Sequence, residues 1–131
     1  MRRHIYRTCL SWAVTGVIAL IVTGCYEHSR CRWVESKTAL SPDGKYEAVV
    51  SEHYCKPEVR TILANSVDIR QSGTDPRMPR DTILQISGNY TIKTVWLDPT
   101  HLRVECPGCR QSMIQWKHET WEGISISYFF E

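Results

Sequence analysis

Apolar and polar residues alternate over short stretches of this chain, and residues that favour turns separate the stretches. Between Lys45 and Tyr54, the side chains of Tyr46, Ala48 and Val50 fall on one side of an extended backbone. This period of two predicts a β-strand with one face turned towards a core. Beyond residue 25, no stretch has the sustained three- or four-residue apolar period of an amphipathic helix, so we expect strands to dominate.

Turn residues divide the rest of the chain into further candidate strands. In Ser41-Pro42-Asp43-Gly44, proline fixes the backbone angle φ at the first corner and glycine relieves the last, which predicts a hairpin turn. The predicted strands are residues 33–40, 45–54, 63–71, 82–87, 90–97, 101–106 and 121–130, and residues 111–118 fit a short strand or a helical turn equally well. The predicted fold class is therefore all-β: a small antiparallel sandwich or curled sheet of six to eight strands.

The amino-terminal segment has a different pattern. Arg2, Arg3 and Arg7 precede an apolar run from Thr8 to Gly24, which ends in small residues directly before Cys25. A basic head, an apolar middle and small residues at the end are typical of an export signal. The run is short for a membrane span, which needs about 20 apolar residues. We therefore expect a helical signal segment before the β domain.

The four residues Val22-Thr23-Gly24-Cys25 resemble the lipobox of bacterial lipoproteins. The resemblance implies that the Cys25 sulfur carries a diacylglycerol and that the chain is cut before Cys25. Residues 1–24 would then be a signal peptide, 25–32 a tether and 33–131 the β domain. Acyl chains contribute about 0.8 kcal/mol per buried methylene, so two or three of them hold a protein firmly on a bilayer. The alternative is an uncleaved amino-terminal helix with Cys25 as a free thiol.

Two further features extend this resemblance. Tyr26 follows Cys25, and in the enterobacterial sorting rule an Asp at that position retains a lipoprotein at the inner membrane. The resemblance thus implies a periplasm-facing protein, at the outer membrane rather than the inner. The order of lipobox, S-P-D-G hairpin, Trp96-Leu97-Asp98 turn and aromatic carboxyl-terminal strand also resembles small envelope lipoproteins grouped as a domain of unknown function. That likeness implies a fold and no activity.

Length and charge limit the classes of partner. Removing 24 of 131 residues leaves 107, enough for one domain with a modest core. Three of the 16 Lys and Arg residues lie in the signal, so the mature chain has 13 basic and 14 acidic residues. Because no strong positive field remains, we expect no nucleic-acid partner. The expected partners are a membrane, through the acyl chains, and an unidentified envelope protein.

Four cysteines remain for pairing once Cys9 leaves with the signal and Cys25 is lipidated. They are Cys31, Cys55, Cys106 and Cys109. An even number in an exported chain favours disulfides, and four cysteines allow three connectivities. We favour Cys31 with Cys55 and Cys106 with Cys109. In the chain-entropy model, the first bridge adds about 3.5 kcal/mol of stability.

The Cys106-Pro107-Gly108-Cys109 motif allows three interpretations. Proline and glycine suit the centre of a type II turn, which brings the two sulfurs together as a structural disulfide. A thioredoxin-like redox pair would sit at a helix start after a strand, whereas both flanks here are predicted strands. A zinc site is the second choice, and it would join His53 and Cys55 to Cys106 and Cys109, with His101 or His118 in reserve.

The sequence contains no recognisable catalytic constellation: no serine elbow, no H-E-x-x-H and no phosphate-binding glycine loop. We therefore expect a non-enzymatic binding or structural module with no cofactor. The alternatives are a metal- or redox-linked periplasmic protein centred on Cys106 and Cys109, and an envelope inhibitor or immunity-type protein. Trp96, Trp116 and Trp121 suit a core, although a partner surface also favours exposed aromatic residues.

Overall fold

The computed structural model describes residues 31–55, 61–78 and 80–130. Within these residues the chain forms nine strands and a single turn of 3₁₀ helix at Gln111–Met113. The strands are β1 (Cys31–Leu40), β2 (Tyr46–Cys55), β3 (Ile62–Gln71), β4 (Asp81–Ser87), β5 (Lys93–Asp98), β6 (His101–Glu105), β7 (Ile114–Lys117), β8 (Thr120–Trp121) and β9 (Ile124–Phe129). The predicted all-β class is confirmed.

The strands form two sheets. One has five strands in the order β1-β2-β3-β4-β7, and the other has four in the order β5-β6-β9-β8. Neighbouring strands are antiparallel in the pairs with a described register, except β6 and β9, which are parallel with Leu102 opposite Ile126. This parallel pair departs from the antiparallel arrangement that the sequence predicts for the domain. After β6 the chain crosses to the first sheet to form β7, and it returns to lie beside β6 in the same direction.

The core lies between the two sheets. Val67 and Ile69 of β3 and Leu102 and Val104 of β6 are fully buried in one apolar cluster. The other buried members of the cluster are Ala48, Val50, Ile83, Leu84, Ile86, Ile92, Cys106, Cys109, Ile124 and Ile126. Burial of a large aliphatic side chain contributes about 1.5–3 kcal/mol, so this cluster is the main favourable term in holding the sheets together. The arrangement is the sandwich among the predicted alternatives.

The predicted Ser41–Gly44 turn joins β1 to β2. The Gly44 N–H donates to the Ser41 carbonyl at 2.9 Å, and the φ of Gly44 is 73°. The Ser41 hydroxyl donates to Asp43 Oδ1 at 2.7 Å and accepts from the Tyr46 N–H at 3.0 Å. The Ser41 and Asp43 side chains therefore supply hydrogen bonds to groups that would have no partner in the tight turn.

Several elements of the structure begin or end at residues other than those predicted from the sequence. β1 begins at Cys31 rather than Trp33, so the last two residues of the predicted tether belong to a strand. The ambiguous residues 111–118 contain both alternatives, the 3₁₀ turn and then β7. The signal segment, the lipobox with Cys25 and the rest of the tether lie outside the described residues. No helix among the residues that are described is long and apolar enough to cross a bilayer.

Candidate functional site

The Cys106–Cys109 motif is a buried turn closed by a disulfide. The two sulfurs are joined in a disulfide, and the residues are 0% and 7% exposed. The Cys109 N–H donates to the Cys106 carbonyl at 3.1 Å, and Gly108 has a φ of 80°, as the predicted type II turn requires. Both cysteines belong to the apolar core. A redox pair must exchange with an external partner, and burial here gives that interpretation no support.

Cys31 and Cys55 form the other disulfide, as the favoured pairing expects. They lie at the first residue of β1 and the last residue of β2. Three of the four groups in the zinc alternative are therefore disulfide sulfurs in this structure, whereas zinc binds thiolates. The fourth, His53, stacks on Trp33 with ring centroids 4.7 Å apart and planes 17° apart.

The two reserve histidines have other neighbours. Nδ1 of His101 lies 2.7 Å from Oδ2 of Asp98 in the turn between β5 and β6. This hydrogen bond, with two more from Thr100, lowers the pKa of Asp98 to about 2. The ring of His118 makes an edge contact with Trp116 at 6.1 Å between centroids. Among the residues that the structure describes, neither histidine forms a hydrogen bond or a ring contact with Cys106 or Cys109.

A charged cluster lies on the outer face of the five-stranded sheet, the face turned away from the core. It consists of Glu35, Glu47, Asp68, Arg70 and Arg80. Arg70 pairs with Glu35 at 2.7 Å and with Glu47 at 2.9 Å, and Arg80 pairs with Glu35 at 2.6 Å and with Asp68 at 3.3 Å. The register explains the Arg70–Glu47 contact, because Glu47 lies directly opposite Arg70 in the β2–β3 ladder.

Asp68 is the buried member of this charged cluster, with 3% of its surface exposed. Its carboxylate accepts hydrogen bonds from the hydroxyls of Thr82 at 2.6 Å and Ser66 at 3.3 Å. Burial raises the pKa of Asp68, and the bond from Thr82 and the charge of Arg80 only partly offset that effect. A carboxyl group at this depth is held by a specific set of donors rather than by water.

Three depressions share the side chain of Arg80, and together we call them the Arg80 groove. The first, of about 150 Å³, lies against Asp68 and is walled by Trp33. The second, of about 230 Å³, lies between Arg70 and Trp121. The third, of about 600 Å³, is walled by Trp116 and Trp121. The groove is therefore lined by three indole rings together with charged and hydroxylated side chains.

A tight hairpin between β8 and β9 positions Trp121. Trp121 pairs with Ile124, and the two residues between them, Glu122 and Gly123, have φ values of 43° and 83°. Positive φ at both positions defines a type I′ turn, the connection that fits the twist of two strands. The Trp121 indole N–H then donates to Asp81 Oδ2 at 2.8 Å. The single strand predicted over residues 121–130 therefore begins with this hairpin and not with a continuous strand.

Trp116 is placed by β7. In the β4–β7 ladder it lies opposite Gln85, and its side chain remains 53% exposed. Trp96 and Trp121 instead pack against the core. Of the three tryptophans considered from the sequence, two follow the core interpretation and Trp116 follows the surface interpretation.

The sequence does not predict the groove itself. Arg80 falls in a predicted loop, and Asp68 and Asp81 belong to no motif. One signal points to the face: Ser66, Asp68 and Arg70 occupy alternate positions of a strand in which Val67 and Ile69 face the other side, which marks one polar face. That pattern does not distinguish a solvent-exposed polar face from a buried ion-pair network.

Comparison with known proteins adds no relative: no protein family matches the chain, and neither does any curated protein or solved structure.

Proposed function

We propose that this chain is a lipid-anchored β-sandwich of the bacterial envelope, that it binds another envelope component through the Arg80 groove, and that it is not an enzyme. The observation that carries the binding role is the exposed indole of Trp116 beside the largest depression of the groove. Exposed aromatic rings that line a concave surface are characteristic of binding sites.

The proposed location in the bacterial envelope rests on two sequence features and one structural feature. The basic and apolar leader and the Val22–Cys25 motif have the order of a lipoprotein signal. All four cysteines of the described chain are oxidised. Disulfides persist in oxidising compartments such as the periplasm, which is consistent with export.

The chemistry of the groove favours binding over catalysis. Arg70 and Arg80 are occupied by carboxylates, and the Asp68 carboxylate is occupied by Ser66, Thr82 and Arg80. These ion pairs and hydrogen bonds hold the side chains of the groove in one arrangement. A surface that is preorganised in this way loses little entropy on binding. The aromatic rings are the exposed contact area. A partner surface favours exposed aromatic residues, and in this groove they lie among polar side chains.

Two measurements test the proposal. Labelled palmitate should be incorporated into the wild-type protein and into Cys9→Ser, a change within the leader, and should be absent from Cys25→Ser. A photoreactive residue at position 116 should give a crosslinked adduct in intact cells, whereas the same residue at Phe129, which is 57% exposed on the other sheet, should not. Label in Cys25→Ser would overturn the anchor, and equal adducts from both positions would overturn the binding surface.

A further inference from the structure

We infer that the largest depression of the Arg80 groove is a saccharide-binding site for an uncharged sugar chain. The inference rests on the proposed binding function and names the chemical class of its ligand. Six of the side chains that line the depression carry the argument: Arg80, Asp81, Trp116, His118, Thr120 and Trp121.

Size and shape fit one or two sugar rings. The depression has a volume of about 600 Å³ and is open to solvent. Ligand sites in proteins commonly occupy about 300–1,000 Å³. An open groove suits a polymer, because the chain can continue beyond the rings that are bound.

The two indole rings supply the apolar contacts that a sugar needs. One face of a pyranose ring is lined by C–H groups and lies flat on an aromatic ring. Trp116 presents an exposed aromatic ring of this kind, and the ring of His118 contacts it edge-on. Trp121 is fixed by its bond to Asp81 and by an edge contact with Tyr46 at 5.3 Å. Rings held in place before binding lose little conformational freedom when a ligand arrives.

Polar atoms that still have hydrogen-bonding capacity surround these rings. Asp81 Oδ1, the His118 ring nitrogens and the Thr120 hydroxyl have no hydrogen-bond partner among the residues that the structure describes. Each sugar hydroxyl is both a donor and an acceptor. A carboxylate, an imidazole and a hydroxyl together supply both kinds of partner.

The charge of the lining favours an uncharged ligand. Arg80 contributes one positive charge and Asp81 one negative charge. The Arg80 guanidinium is already paired with Glu35 and Asp68, so it has little attraction left for a polyanion. A strongly charged ligand would meet no complementary field in this depression. Neutral hydroxyl groups need none.

Isothermal titration calorimetry on the mature, full-length lipoprotein in a sugar-free detergent tests the inference. The probes are three tetrasaccharides: chitotetraose, cellotetraose and maltotetraose. We expect at least one to bind, Trp116→Ala to weaken that binding tenfold or more, and Trp116→Phe to retain part of it. Phe129→Ala is the matched control, since Phe129 is similarly exposed on the other sheet, and it should bind like wild type.

Three outcomes would overturn the inference: no heat with any of the three sugars, equal weakening by the Trp116 and Phe129 changes, or binding unchanged in Trp116→Ala. Failure here remains distinguishable from failure of the proposed function. A protein adduct at position 116 without sugar binding would keep the binding role and assign the groove to a protein. Sugar binding without palmitate on Cys25 would keep the saccharide site and remove the anchor.

Discussion

Successive side chains of β3 enter two buried regions of opposite chemistry. Val67 and Ile69 point into the core between the sheets and belong to its apolar cluster. Ser66 and Asp68 point to the outer face and are almost as buried, at 4% and 3% exposure. The core is non-directional and gains from area alone, whereas the outer face depends on individual hydrogen bonds and charges. Residues that are equally buried on the two faces of β3 should therefore respond differently to substitution.

The largest effect is expected on the core side. Ile69→Ala should lower the free energy of unfolding by about 2–5 kcal/mol, because it removes apolar contacts and leaves a cavity between the sheets. Urea denaturation of the mature protein measures the change. Leu63→Ala is the control on the same strand, since Leu63 is 46% exposed, and it should change stability by less than about 0.5 kcal/mol. Similar losses for both variants would contradict the assignment of the core.

A smaller loss is expected when the charged cluster is broken at Arg70. Arg70→Ala leaves Glu35 and Glu47 without their shared partner, and we expect a loss of about 1.5–3 kcal/mol, the usual range for hydrogen bonds to charged groups. Arg70→Lys should recover only part of it, because an ammonium cannot reproduce the two-sided fork of a guanidinium.

The matched control for Arg70 is Arg77→Ala. Arg77 also pairs with a carboxylate, Asp75, at 3.0 Å, but its side chain is 90% exposed. Exposed ion pairs contribute about 0–1 kcal/mol, so this variant should remain close to wild type in the same denaturation experiment. Equal losses at positions 70 and 77 would show that burial on the outer face has no energetic consequence.

The third effect is a dependence on pH at Asp68. Burial raises the folded-state pKa of Asp68 above its unfolded value of about 3.9, so the folded protein binds more protons between the two values. The stability contributed by this group is fully present below pH 4 and is lost as pH rises through the folded-state pKa. Asp68→Asn should remove this loss, which is at most about 1.4 kcal/mol per pH unit. Unfolding free energies measured at several pH values give the slope.

Asp98 provides a comparison of opposite sign. Its pKa is lowered to about 2 by His101 and Thr100, so its contribution is present above pH 4 and is lost as pH falls towards 2. Asp98→Asn should therefore flatten the acid side of the stability curve, and Asp68→Asn should flatten the side above pH 4. If both variants change the same side, the assigned pKa direction of one carboxyl group is wrong.

The contrast between the two faces also explains what sequence can and cannot predict here. The alternation around Val67 and Ile69 predicts a strand with one apolar face, and Ser41–Gly44 and Pro107–Gly108 predict their turns from local chemistry. The parallel pairing of β6 with β9 depends on a crossing between sheets, which no local pattern encodes. Arg80 reaches Glu35 across 45 positions of the chain, so the charged cluster and the groove above it emerge only from the register of four strands.

The smallest effect is expected at Ser51, and its sign is the informative quantity. Ser51 lies opposite Ser66 in the β2–β3 ladder, and its buried hydroxyl has no hydrogen-bond partner within the described residues. A buried polar group without a partner costs stability, so Ser51→Ala should raise the free energy of unfolding by up to about 1 kcal/mol. Ser66→Ala should lower it, because the Ser66 hydroxyl donates to Asp68. A loss in Ser51→Ala as large as the loss in Ser66→Ala would mean that the Ser51 hydroxyl is bonded in solution, and that the outer face holds a further ordered partner there.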